Sequence, residues 1–330
     1  MFANLGVIGA GAWGTALAQT TRAAGHDVML WAFEAAVAEE INNLHTNAAY
    51  LADVVLDEAI RARCELADFA ERDVILLVVP AQHVRRIATE LVRFVPQETP
   101  IVICSKGIEQ ATGKLMTDVL AEAAPAHPVA VLSGPSFAHE VAAGLPVAVT
   151  LAAGDATLGE NLAKALAHRA FRPYWSDDVV GVEVGGAVKN VLAIAAGIVA
   201  GQGLGASAHA ALVARGFAEI VSVGKALGAR EETLAGLSGL GDLVLTCASP
   251  RSRNMSLGRS LGEGRGLDDI LGARRSVAEG VQTAEAVIRI ADRHGLELPI
   301  CRAVDAIVAG QLAVGEAIEG LLARPLRREV

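Results

Sequence analysis

Short apolar runs alternate with longer amphipathic stretches through the first half of the chain. Residues 5–8, 28–31, 74–79, 101–104, 129–132 and 147–151 are brief, rich in β-branched side chains and mostly bounded by Gly, Pro or polar positions. They are apolar throughout rather than alternating, as strands buried on both faces are. Between them the spacing predicts helices over residues 14–24, 84–94 and 115–123. A strand–helix–strand rhythm builds a doubly wound parallel sheet, so the predicted class is α/β with an N-terminal Rossmann-type domain.

The rhythm changes after Asp178. Ala, Leu, Ile, Val and Gly stretches at helical spacing take over, and strand signals fade. Ser176 is placed to cap the first of these helices, with Asp177 and Asp178 near its positive end. The expectation is two domains, residues 1–178 and an all-α domain over residues 179–330. Residues 190–214 contain no Asp, Glu, Lys or Arg. A membrane span is one reading, but Gln202, Ser207, His209 and three glycines (Gly201, Gly203, Gly205) interrupt it. The unbroken apolar run 191–201 is too short to cross a bilayer as a helix. A buried core helix followed by a loop is the better reading. The Gly- and charge-rich residues 253–275 are expected to hold exposed loops, and residues 324–330 a frayed tail.

Composition narrows the function. With 330 residues and 52% apolar content, the chain can bury two cores. A net charge of −9 leaves no basic surplus for a nucleic-acid backbone, which argues against duplex binding but allows a local basic pocket for a small phosphate. Cys64, Cys104, Cys247 and Cys301 are widely spaced, so neither a metal site nor a disulfide framework is expected. That fits a reducing cytoplasm. The N-terminus enters a strand at once, without the basic leader of a signal peptide. The apolar helical half offers surface for a homodimer, with a monomer as the alternative.

The first chemical signal is Gly9-Ala10-Gly11-Ala12-Trp13-Gly14, between the first strand and an Ala-rich helix. Gly9 permits the tight turn, Gly11 lets a pyrophosphate approach the backbone, and Gly14 lets helix and strand pack closely. The helix N-terminus offers N–H groups and a positive dipole end to the phosphates. The flanking strands and helix favour dinucleotide binding over a structural turn, but a methyltransferase can share such a loop, so the rest of the chain must decide. Glu34 follows the second strand, where a carboxylate accepts from ribose hydroxyls and favours NAD over NADP. Phe33 beside it either stacks on adenine or simply ends the strand.

Later segments look unlike generic core. Lys106 and the Ser133-Gly134-Pro135-Ser136 turn each follow a strand, where a doubly wound sheet faces its ligand crevice. The alternatives are an exposed loop lysine and an ordinary Gly-Pro turn. Lys189 is the sole charge between Glu183 and Arg215 on a predicted helix, amid small neighbours. It either snorkels to water or is an acid–base group with a burial-lowered pKa. Asp242 opens an apolar stretch, where capping would also explain it. Arg251-Ser252-Arg253-Asn254 places two guanidiniums beside a hydroxyl and an amide, as a phosphate clamp or as a solvated basic loop.

Together, G-A-G-A-W-G at 9–14, S-K-G at 105–107, S-G-P-S-F-A at 133–138, G-G-A-V-K-N at 185–190, G-L-G-D-L-V-L-T-C at 239–247 and S-R-N at 252–254 resemble the bacterial NAD(P)-dependent glycerol-3-phosphate dehydrogenases over most of the chain. The resemblance implies reversible reduction of dihydroxyacetone phosphate to sn-glycerol 3-phosphate for glycerophospholipid synthesis. It implies Lys189 as proton donor and acceptor, Lys106 in touch with cofactor and substrate, and Asp242 holding the Lys189 region. Gly134, Ser136, Ser252, Arg253 and Asn254 would bind substrate. Ala12, Trp13, Phe33, Ala138, Arg253, Val277 and Glu279 would meet the dinucleotide. Many bacterial members carry a basic residue where this chain has Phe33-Glu34, so NAD is the expected cofactor and NADP the alternative. No metal is implied. The rivals are a 3-hydroxyacid or ketopantoate type of dehydrogenase and a non-enzymatic NAD(H)-binding sensor.

Overall fold

Eight strands form one sheet in the order β3-β2-β1-β4-β5-β6-β7-β8. They are β1 (Asn4–Ile8), β2 (Asp27–Trp31), β3 (Arg61–Arg63), β4 (Val74–Leu77), β5 (Ile101–Ile103), β6 (Val129–Ser133), β7 (Val147–Ala153) and β8 (Phe171–Ser176). Helices α1 (Ala12–Ala23), α2 (Ala35–Leu44), α3 (Val84–Leu91), α4 (Met116–Ala123), α5 (Ala138–Ala142) and α6 (Ala156–Leu166) lie between them. Among the described residues, the helices that follow are α7 (Val179–Gly201), α8 (Gly205–Ala226), α9 (Glu231–Leu234), α10 (Asp242–Ala248), α11 (Arg253–Gly262), α12 (Leu267–Gly272), α13 (Glu279–His294), α14 (Pro299–Val308) and α15 (Val314–Leu322). This is a computed structural model describing residues 2–272 and 278–326.

All six strand stretches expected from the sequence are strands, and their unbroken apolarity has a direct cause. Leu5, Val7, Val74, Leu76 and Val102 enter one core, which also holds Ala16 and Leu17 of α1. Their neighbours Ile8, Ile75, Leu77, Ile101 and Ile103 enter another, with Val84 and Ile87 of α3 and Val119 and Leu120 of α4. Successive side chains point to opposite faces, so a covered sheet needs apolar residues at every position.

Two strands escaped the sequence reading. β3 reads exposed–buried–exposed, and β8 carries Arg172 and Pro173. Both are sheet edges, where one side has no partner strand and proline is tolerated. The sheet is also not wholly parallel, because β6 and β7 pair antiparallel. The only helix between them, α5, has 5 residues and spans about 7.5 Å. That is too short to carry the chain back along a strand of about 16 Å. β7 therefore starts beside the end of β6.

In the helical half, α7 is the axis. Nineteen consecutive residues, Gly181 to Val199, are buried, and α8, α10, α11, α13 and α14 pack around them. α7 is long and apolar enough to cross a membrane, yet 89% of its most apolar window is buried inside the protein. The expected loop after it is only residues 202–204 before α8 begins. Asp178, not Ser176, caps α7, accepting the Gly181 N–H at 2.9 Å. Ser176 Oγ instead accepts from the Asp178 N–H. Residues 253–275, expected to hold exposed loops, have one at 263–266, between α11 and α12, while the rest of the described stretch is helical. Their glycines serve close packing: a Cβ on Gly258 would lie 1.9 Å from the Ile194 carbonyl oxygen, and one on Gly197 2.0 Å from that of Met255. Glycine lets these two helices meet backbone to backbone, and so sets the start of α11 against α7.

Candidate active site

Strand order reverses between β1 and β4, the position where open α/β sheets open a crevice at the carboxyl ends of their strands. The 9–14 loop fills that point. Gly9 has φ +123°, and its N–H reaches the Trp31 carbonyl at 3.1 Å. A Cβ on Gly14 would meet the Gly9 carbonyl oxygen at 1.7 Å, whereas one on Gly11 would have open space. Gly11 is the cap of α1 and brings no side chain to its first-turn N–H groups. These groups therefore face open space at the positive end of a 12-residue helix, which fits a pyrophosphate. At the end of β2, Phe33 is 72% exposed, and its ring centroid lies 6.1 Å from that of Trp31. Glu34 caps α2 and accepts the Tyr50 hydroxyl at 2.6 Å.

A cavity of about 900 Å³ runs from this loop to the helical half. Gly9, Gly11, Ala12, Trp13, Gly14, Phe33, Lys106, Ser136, Ala138, Lys189, Asp242, Ser252, Arg253, Asn254 and Glu279 all line it. Gly134 stands behind the wall: its carbonyl accepts from Lys106 Nζ at 2.9 Å and from Ser136 Oγ at 3.0 Å. Its φ of +147° and the contact a Cβ would make with Val149 Cα at 2.9 Å explain the glycine. Val277 lies outside the described residues.

Two ammoniums share one carboxylate inside the cavity. Asp242, 1% exposed, sets Oδ1 at 2.5 Å from Lys189 Nζ and Oδ2 at 2.9 Å from Lys106 Nζ. Lys189 also donates to Thr246 Oγ1 at 3.0 Å. Burial pushes the Lys189 ammonium down to about 8; Asp242 pulls the other way and the Lys106 charge adds to the lowering. Such a group can hold or release its proton near neutrality. Asp242 reaches this position through a single π-helical turn, Leu237–Gly241. That turn rests on α7, because Gly185 leaves room for the Ser238 carbonyl and the Gly239 backbone. The small neighbours of Lys189 thus admit another segment of chain. Lys106 Nζ also stands 5.9 Å from the Trp13 ring centroid, on the dinucleotide side.

An amide relay fixes the surrounding segments. Asn190 Nδ2 donates to the Lys106 carbonyl at 2.9 Å, Asn254 Nδ2 to Asn190 Oδ1 at 3.0 Å, and the Gly280 N–H to Asn254 Oδ1 at 3.0 Å. Ser252 Oγ caps α11 through the Met255 N–H, and Arg253 is the first residue of that helix. Glu279 accepts the Ala81 N–H at 3.0 Å, and burial raises its carboxyl above the usual range. Thr246 and Asn190 took no role in the sequence reading, although both sit inside quoted motifs. Among the described residues, no group of three or more His, Cys, Asp and Glu gathers as a metal site would.

The sequence matches the family profile described as NAD-dependent glycerol-3-phosphate dehydrogenase N-terminus over residues 4–159, and the corresponding C-terminus profile over residues 178–319. It is 57% identical over 328 residues to the glycerol-3-phosphate dehydrogenase (NAD(P)+) of Maricaulis maris, covering 99% of this chain and 98% of that protein. The enzyme of the same name from Caulobacter vibrioides is 56% identical, with 99% of each chain covered. The crystal structure of glycerol-3-phosphate dehydrogenase from Coxiella burnetii superposes with a TM-score of 0.94 at 37% identity, covering 98% of this chain and 99% of that one. With both halves matched and full-length relatives above half identity, this chain belongs to the NAD-dependent glycerol-3-phosphate dehydrogenase family.

Proposed function

We propose that the protein reversibly reduces dihydroxyacetone phosphate to sn-glycerol 3-phosphate with a nicotinamide dinucleotide, in the cytoplasm, as a source of glycerophospholipid backbone. The observation that carries this reading is the Lys189–Asp242–Lys106 cluster on the wall of a cavity that also contains the 9–14 loop. Residues 1–178 serve as the dinucleotide domain and residues 179–330 as the substrate domain. The helical surface pairs two copies in a homodimer.

A reduced dinucleotide held through its pyrophosphate at the 9–14 loop would supply the hydride. The protein's own work is at the ketone oxygen, where negative charge grows. Lys189 stabilises that charge and delivers its proton there; in the reverse direction neutral Lys189 accepts it. Asp242 keeps the ammonium charged enough to donate and aims it. Lys106 adds a second positive charge next to the same oxygen. Gly134 holds Lys106, and Ser136, Ser252, Arg253 and Asn254 form the phosphate end with the first turn of α11. The phosphate is a remote handle whose binding energy orients the ketone. Ala12, Trp13, Phe33, Ala138 and Glu279 shape the dinucleotide cleft, and Glu34 favours NAD over NADP. Following NADH and NADPH absorbance on adding dihydroxyacetone phosphate tests this directly. Oxidation of neither would defeat the assignment.

A further inference from the structure

The turn before α11 carries a second arginine, Arg251, whose Nη1 is hydrogen-bonded to His139 Nε2. His139 is the second residue of α5, at the carboxyl end of β6, so the contact reaches from the sheet to the helical half. Both residues line the cavity, beside Ser252 and Arg253. A guanidinium only donates, so Nε2 must offer a lone pair and the imidazole is neutral in this contact. The Phe137 ring stacks on His139, with centroids 5.8 Å apart and planes at 23°. The charged groups facing the imidazole, among the described residues, are Arg251 and Glu140, whose Oε1 is 3.8 Å from Nε2.

We propose that His139 is a positioning residue, which fixes Arg251 at the cavity rim as a second guanidinium for the substrate phosphate. The proposal rests on the phosphorylated-ketone reading above and adds a residue to its phosphate end. A phosphate monoester carries a charge of about −1.5 to −2 near neutral pH, more than Arg253 alone balances. Docking on His139 occupies one edge of the guanidinium and leaves the rest of its donor fork for phosphate oxygens. An arginine already docked has less rotamer freedom to lose when substrate arrives. Burial holds His139 below its ordinary pKa, the Arg251 charge adds to this, and Glu140 opposes it. Acidification then protonates Nε2, removes the lone pair and sets cation against cation. Arg251 is released and the phosphate grip loosens.

The test is steady-state kinetics of the wild type, Arg251→Ala, His139→Ala and His139→Gln, from neutral pH down through the ordinary histidine pKa to the lowest pH at which each enzyme stays folded. NADH binding, followed by fluorescence, checks that each variant is folded. The alanine variants are expected to raise KM for dihydroxyacetone phosphate about tenfold, the scale of one charged contact. Their kcat and KM for NADH should stay within about twofold. The glutamine variant keeps an oxygen acceptor for Arg251, so its KM at neutral pH stays near wild type. Its KM should rise less on acidification than that of the wild type. The phosphate's own ionisation falls in this range but is common to both enzymes. An unchanged KM in His139→Ala, an equal rise in KM for NADH, or a glutamine variant that follows the wild-type pH curve would each overturn the proposal. Failure of the wild type to turn over at all would instead defeat the substrate reading.

Discussion

Gly185 and Ser238 are in backbone contact: a Cβ on Gly185 would sit 2.7 Å from the Ser238 carbonyl oxygen. The turn that positions Asp242 therefore lies directly on the helix that bears Lys189. Gly185→Ala must push the two apart. We expect kcat to fall on the order of 10- to 100-fold, as small misplacements of reacting groups do, while NADH affinity holds. Unaltered turnover in a folded variant would show that this contact does not set the catalytic geometry.

Lys189→Ala should remove the proton donor and cost roughly 10²- to 10⁴-fold in kcat, the usual range for a general acid. NADH should still bind, because the 9–14 loop is untouched. In the wild type, ketone reduction needs the ammonium form. Its kcat/KM should therefore fall as pH rises through about 8, whereas alcohol oxidation should rise through the same range. A pH-independent kcat/KM in both directions would take Lys189 out of the role.

Asp242→Asn removes the charge that holds the Lys189 proton. The basic limb of ketone reduction should then move to lower pH, because Asp242 raises the Lys189 pKa against burial. The variant also leaves Lys106 and Lys189 facing each other without a counter-charge, so activity should drop at every pH. A limb displaced upward would contradict this electrostatic reading.

At the far end of the cleft, Glu34→Arg should shift the kcat/KM ratio towards NADPH by about tenfold or more, since a carboxylate repels a 2′-phosphate and a guanidinium binds it. The hydrogen bond from the Tyr50 hydroxyl to Glu34 is lost in this variant. No change in the cofactor ratio would mean that Glu34 does not meet the ribose.

Glu183 lies buried on α7 and accepts both the Thr117 N–H at 3.0 Å and the Thr117 hydroxyl at 2.5 Å. Burial raises its carboxyl to about 7. Folding thus prefers the protonated acid. This contribution is fully present below the unfolded pKa near 4.5 and is lost as pH rises through about 7. Glu183→Gln, which keeps an acceptor and a donor for Thr117, should raise Tm more at pH 8 than at pH 5, with at most ~3 kcal/mol at stake. Equal Tm differences at the two pH values would refute the linkage.

What could be read in the chain beforehand follows from how local each signal is. The 9–14 loop was legible because its glycines answer to a turn, a helix start and a strand within a few residues. Lys189 was legible because a lone charge on an apolar helix is conspicuous. Thr246 was not, since its partner Lys189 is 57 positions away and only folding joins them. Arg251 stands in the sequence as half of a two-arginine phosphate clamp or of a solvated basic loop, but its partner His139 lies 112 positions away and only folding joins them. The helices of residues 253–262 and 267–272 are not separable from their loop in the sequence, because a sequence does not distinguish a glycine that bends the chain from one that lets two helices touch. β8 hid behind Arg172 and Pro173, which an edge strand accommodates and a central strand would not.

The burial of α7 has a consequence for tuning the enzyme. The helix that bears Lys189 is also the one around which the helical half packs, so the acidity of that ammonium depends on the dryness of the surrounding core. A void beside α7 large enough to admit water would return the ammonium towards its solution behaviour with every polar partner still in place. Conservative trimming of Leu192 or Leu243, both in the same core, would then move the pH–rate curve as well as the melting point. Hydrophobic packing around α7 would then act as a dial on proton transfer.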